Sequence, residues 1–343
     1  MNTDELLFVA SIYREDGTPL GSGPLDVDLD PAFESTWFSA FRAGELDAAV
    51  PASAARIEPL WHPSAGAPYL EGFRVVVVAP GGAAIERRFP TSYFEDATRA
   101  VAEVLVRDGK LAAGDRYRFF VSAFPRERAH PSGEGEGEAV VVSESPPSLS
   151  LVPGRLATFT ADAAHVGEGT DGDMPVIVPD RIRAECEELT RRNHGQETGG
   201  ILIGALRRDC ETRQVFADVT AQIPARHTLA TATRLTFQPE TWTDVRAAIA
   251  LRGGNEMMVG WWHSHVVYAW GCKDCPPERQ RDCSLARGFL SEHDVALHRT
   301  VFPRAWNVAL VVTHTAADEL RHALFGWRLG RMAKRGFFAA PSP

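Results

Sequence analysis

The sequence predicts a mixed α+β and α/β protein: a smaller N-terminal α+β domain, then a C-terminal mixed sheet flanked by helices. Three observations carry this. The chain of 343 residues exceeds the usual size of one core. Its periodic apolar pattern breaks at "PSGEGEGEAVVVSESPPSLS", where Gly, Glu, Ser and Pro take over. Beyond that break, strand-like and helix-like segments alternate. The expected division is residues 1–130, a linker and bridging segment over 131–173, and a second domain over 174–335.

In the first part, "LLFVASIY", "FRVVVVAP" and "YRFFVSAF" read as strands. "EDATRAVAEVLVRDG" has the apolar spacing and closing glycine of an amphipathic helix. His62 and His130 each sit beside a proline and read as loop residues. In the second part "MPVIVP" is a short strand, and "DRIRAECEELTRRNHG" is a helix with a basic last turn before Gly195. "TGGILIGAL", "QVFADVTAQIP" and "TRLTFQP" follow as strands and "ETWTDVRAAIALRGG" as a helix. "EMMVGWWHSH" is a strand that runs into two histidines. "SEHDVALHRTVF" opens a last helix, and "NVALVVTH" and "LRHALFGWRL" close as strands.

A formal charge of -9 argues against a broad nucleic-acid or anionic-membrane surface and favours a protein or small-molecule partner. No stretch approaches the apolar length of a bilayer span, and acids stand where a signal peptide carries basic residues, so a cytoplasmic location is expected. Five cysteines, with Cys272, Cys275 and Cys283 crowded together, suit metal-binding thiols better than disulfides.

His263 and His265 are i and i+2 of an extended segment, so both imidazoles point to one side. In "SEHD", Ser291 is placed to cap the following helix and Asp294 stands three residues on, free to face the capped amides or a metal. Two imidazoles and a carboxylate make the three-ligand set that leaves a catalytic zinc one open position. Hydrolysis also needs a base. Glu197, at the entry to an apolar strand beside a glycine pair, is the candidate.

"ETGGILIG", "GWWHSH" and "SEHD", in this order, resemble the JAB/MPN metalloprotease family with its JAMM motif, over roughly Met174 to Gly330. The resemblance implies a cytidine-deaminase-like mixed sheet, zinc on His263, His265 and Asp294, Glu197 as general acid/base, and Ser291 holding the oxyanion or the attacking water. It further implies cleavage of peptide or isopeptide bonds after the C-terminus of a ubiquitin-like protein. Partners in such a setting include E1- and E2-like enzymes of prokaryotic conjugation or antiphage systems. Two features depart from the family pattern. Val266 stands where a proline is usual, and the 25 residues at 266–290 exceed the family's spacer by about eighteen.

That insertion holds Cys272, Cys275 and Cys283 as C-x2-C-x7-C. A second, structural zinc would staple it, with His293, His298 or Cys210 as candidate fourth ligands; unmetallated thiols are the alternative. Trp261 and Trp262 alternate across the strand, so at least one is expected in the core, with the other on the side of the site. A binding scaffold without catalysis and a peptidase releasing small groups from a carrier protein are the competing functions.

Overall fold

The structure is a computed structural model that describes residues 6–64, 68–79, 81–125, 149–193, 195–270, 276, 279, 283–315 and 317–341. Two compact units result: residues 1–149 with 329–331, and residues 150–328 with 332–343. The class is α+β. Among the described residues no helix is long and apolar enough to cross a membrane.

The first unit holds two three-stranded antiparallel sheets. One is β1 (Leu6–Arg14) between β2 (Pro19–Leu25) and β6 (Tyr117–Pro125). The other is β4 (Leu70–Val78) between β3 (Ala55–Trp61) and β5 (Ala84–Pro90). Helix α1 (Asp30–Ala43) buries Phe33, Trp37, Phe38 and Phe41, and ends on Gly44 in the left-handed conformation that a glycine adopts without strain. Helix α2 (Glu95–Arg107) places Ala102 and Leu105 against Ile12. Phe73 stacks on Phe89 and meets Tyr93 and Phe94 at the centre.

The second unit is built on one large mixed sheet. Its strands are β7 (Leu151–Gly154), β8 (Ala164–Val166), β9 (Val176–Pro179), β10 (Gly199–Asp209), β11 (Val215–Pro224), β14 (Met257–Val266), β15 (Val308–His314), β16 (Leu320–Arg328), β17 (Arg331–Arg335) and β18 (Phe337–Ala340). The order runs β17-β16-β15-β14-β10-β11-β9-β18-β8, with β7 also pairing β10. A small hairpin, β12 (Thr228–Ala230) with β13 (Leu235–Phe237), stands apart. Short helices α3 (Leu156–Thr160) and α6 (Val267–Trp270) complete the unit with α4 (Asp180–Arg192), α5 (Pro239–Arg252) and α7 (Glu292–Val301).

Residues 150–173, expected as a bridge, instead supply β7 and β8 to this sheet, and Phe337–Ala340, beyond the expected end at 335, pairs with β8 and β9. Parallel β7 lies on β10 and antiparallel β8 on β18, so both draw their hydrogen bonds from strands far away in sequence.

Helices cover both faces. Ile201, Ile203, Trp261, Val311 and Ala323 form one face with Val245 of α5 and the α7 residues Leu297 and Val301. The next residues along the strands point the other way: His322, opposite Val312, meets Glu187 of α4. A strand covered on both faces reads as a continuous apolar run, and β14 is buried from Val259 to Val266. Strands β14 and β15 are parallel neighbours, so the chain between them must cross over, and α7 is the helix of that crossover.

Candidate metal centre

The crossover sets the site. The end of β14 delivers His263 and His265 to the face shared with Trp261, and α7 begins where their imidazoles point. The Nε2 atoms of His263 and His265 lie 3.0 Å apart, and Asp294 Oδ2 is 3.5 Å from the first and 3.8 Å from the second. Ligand atoms of all three residues fall within 4.8 Å of one another, and all three side chains are buried. Among the described residues this is the one group of His, Cys, Asp and Glu able to hold a metal ion.

Asp294 lies between the two directions the sequence leaves open, the capped amides and the imidazoles. Ser291 caps α7: its Oγ accepts from the Asp294 N–H at 3.2 Å, while Asp294 Oδ2 accepts from the Ser291 N–H and from the Ser291 hydroxyl, each at 2.7 Å. The same Oδ2 faces the two imidazoles. A carboxylate in the first turn also sits at the positive end of the helix dipole. Burial works against its ionisation, but His263, His265 and Ser291 together hold the Asp294 carboxyl far below the ordinary range. Ser291 Oγ is thus engaged with Asp294.

Glu197 precedes β10 by two residues and shares a face with Gly199, which pairs with His263. Ser264, turned to the other face, fixes this alignment: its N–H donates to the Thr198 carbonyl at 2.8 Å and its Oγ accepts from the Thr198 N–H at 2.9 Å. Backbone hydrogen bonds to the Thr231 carbonyl and from Asn193 Nδ2 hold Glu197 on either side. The glycine pair is required here. A Cβ on Gly199 would strike the Trp262 carbonyl and Leu235, and one on Gly200 the Ile223 carbonyl and the Trp262 ring. The Glu197 side chain is 4% exposed. Burial, reinforced by the Asp294 charge and opposed by His263, pushes its pKa up to about 8. For His263, burial opposes protonation, but Asp294 and Glu197 outweigh it and the pKa is raised; for His265 burial prevails and the pKa is lowered.

Both tryptophans are buried. Trp261 stacks on His263 with ring centroids 4.6 Å apart, and the Trp262 ring nitrogen donates to Gln222 at 3.1 Å on the opposite face. Val266, where the family pattern has proline, adds one more pair to the ladder, opposite His314. Phe289 packs its ring 4.4 Å from that of His265, a contact with no sequence signal.

Of the cysteine cluster, Cys272 and Cys275 lie outside the described residues, and Cys283 is half-buried ahead of a short 3-10 turn. The candidate fourth ligands are dispersed. Cys210 is exposed in the β10–β11 turn, His293 is exposed on α7, and His298 is wholly buried with Nδ1 accepting from Trp261.

No protein-family profile matches this chain, and no curated protein matches it. Among solved structures, the solution structure of a protein from Desulfitobacterium hafniense aligns with 15% identity and a TM-score of 0.33 over 50% of this chain and 94% of that one. A likeness at that level carries no argument about fold or function.

Proposed function

We propose that the second unit is a zinc-dependent peptidase of the JAB/MPN type, hydrolysing the peptide or isopeptide bond after the C-terminus of a ubiquitin-like protein. One observation carries the reading: His263, His265 and Asp294 converge, and the buried Glu197 lies near enough for the charges of His263 and Asp294 to act on its carboxyl. Tetrahedral zinc ligands about 2.0–2.1 Å from the ion stand roughly 3.3 Å from one another, and the separations of 3.0, 3.5 and 3.8 Å bracket that value. Two neutral nitrogens and one carboxylate also match the donor set of catalytic zinc, which leaves one position for the reacting groups.

His263, His265 and Asp294 would hold the ion, and its chemistry there is that of a Lewis acid. Glu197 takes a proton from the attacking water and passes it to the departing amine as the C–N bond breaks. A carboxyl raised by burial and lowered again by a nearby cation is poised for both transfers near neutral pH. Ser291 keeps Asp294 turned toward the imidazoles.

Substituting Glu197→Gln tests this. Zinc content should stay at the wild-type level while cleavage of a ubiquitin-like protein fusion falls by at least about a hundredfold. Equal activity in wild type and E197Q would reject the role of Glu197. A purified wild type that binds zinc yet cleaves no such fusion would favour a binding scaffold.

A further inference from the structure

A histidine that ligates a metal is normally oriented by a hydrogen bond from its second ring nitrogen. Here Nε2 of both His263 and His265 faces Asp294, and Nδ1 of each is buried with no hydrogen-bond partner among the described residues. Some other contact must fix the rings. For His263 that contact is Trp261, two residues earlier on the same strand face, whose ring lies nearly parallel to the imidazole at an interplanar angle of 12°.

Trp261 is itself tied at its far edge. Its Nε1–H donates to His298 Nδ1 at 3.0 Å, inside the core. His298 belongs to α7, four residues after Asp294, so both project from one side of that helix. Phe302 and Trp327 pack around it. A hydrocarbon ring would fill this place without leaving Nε2 buried and unpartnered, as it is among the described residues. The donor for Nδ1 is what the imidazole gains. Burial keeps it neutral, pushing its pKa down to about 3, so the Nδ1 lone pair stays available.

We infer that His298 is a positioning residue for the metal centre: by accepting the Trp261 indole proton it fixes the plane on which His263 stacks, so that α7 supplies both the Asp294 carboxylate and the orientation of the imidazole opposite it. This rests on the metal reading above, and the test separates the two.

Zinc affinity, by competition with a chromophoric chelator, is measured for wild type, H298F, H298N, W261F and the W261F/H298F double variant, and the indole N–H resonance of Trp261 in metal-free protein for wild type, H298F and H298N, which keep that indole. H298F should weaken zinc about tenfold or more and expose the Trp261 indole proton to faster exchange. H298N, which keeps an acceptor near the Nδ1 position, should recover most of both. In a W261F background, H298F should change zinc affinity less than about twofold, because the link is already cut. Wild-type affinity in H298F, or an equal loss in both backgrounds, overturns the inference. Should H298F fail to fold, H298L, which also drops the acceptor, takes its place with the same expected and overturning outcomes. A wild type that takes up no zinc would sink the metal reading, while the indole resonance still decides whether His298 pins Trp261.

Discussion

Asp294 Oδ2 accepts from Ser291 while facing two imidazoles, and this crowding of one oxygen ties the site to proton concentration. In the metal-free protein the His263 pKa is raised, that of His265 is lowered, and that of Glu197 is pushed up to about 8, so at pH 7 Glu197 holds its proton to a large extent. A cation must displace the His263 proton and repels the one on Glu197. Zinc affinity should therefore fall as pH drops through the raised His263 pKa, and should level off only above the Glu197 value near 8. Calorimetry at pH 7 in buffers of different ionisation enthalpy should show proton release that drops by up to about one in E197Q. Release identical in the two proteins would place Glu197 away from the ion.

At the scale of the element, α7 begins at the site and is held there by its cap. Ser291→Ala removes the acceptor for the Asp294 N–H and the hydroxyl that donates to Oδ2, at a cost of about 1 kcal/mol in stability. Zinc affinity should fall with it, because Oδ2 is then held toward the imidazoles by the backbone N–H of residue 291 alone; chemical denaturation and metal competition on S291A check both. A loss of stability with affinity intact would make Ser291 a cap alone. The capping box and the i, i+2 histidines were legible in the sequence because each is written within four residues and obeys a local period. The bond between Trp261 and His298 spans 37 positions and exists only once β14 and α7 have packed. Strands β7 and β8 are four and three residues long, and β7 carries Pro153, so neither shows a period. Helix α1 escaped notice because aromatic residues are middling helix formers, and its N-cap position, Leu29, makes no side-chain capping bond.

In the second unit as a whole, one half-buried network joins distant parts of the chain. Asp173, ahead of β9, accepts from Arg328 of β16, and Arg335 of β17 donates to the Met174 carbonyl beside it. Burial raises the Asp173 carboxyl, but Arg328, the Thr170 N–H and Arg335 outweigh it and hold the pKa below the ordinary value. A carboxylate depressed by folding contributes stability that is fully present above its unfolded pKa, near 4, and is lost as pH falls through the folded one. Asp173→Asn should thus lower the stability of this unit at pH 7 and flatten its decline below pH 4; an unchanged acid limb would show that other carboxylates govern it.

Two compact units with separate cores also make a metal-dependent prediction for the whole chain. A ligand that binds only the folded state stabilises by about 2.7 kcal/mol at a hundredfold excess over its Kd. The candidate ligands His263, His265 and Asp294 all belong to the second unit, two on its sheet and one on its crossover helix. Calorimetric unfolding should show zinc raising, and a chelator lowering, the transition of the second unit, while the transition of residues 1–149 stays in place. His263→Ala should abolish the zinc-dependent shift. If both transitions moved together with zinc, the two units would unfold as one cooperative block, and metal bound at β14 and α7 would stabilise the N-terminal sheets as well.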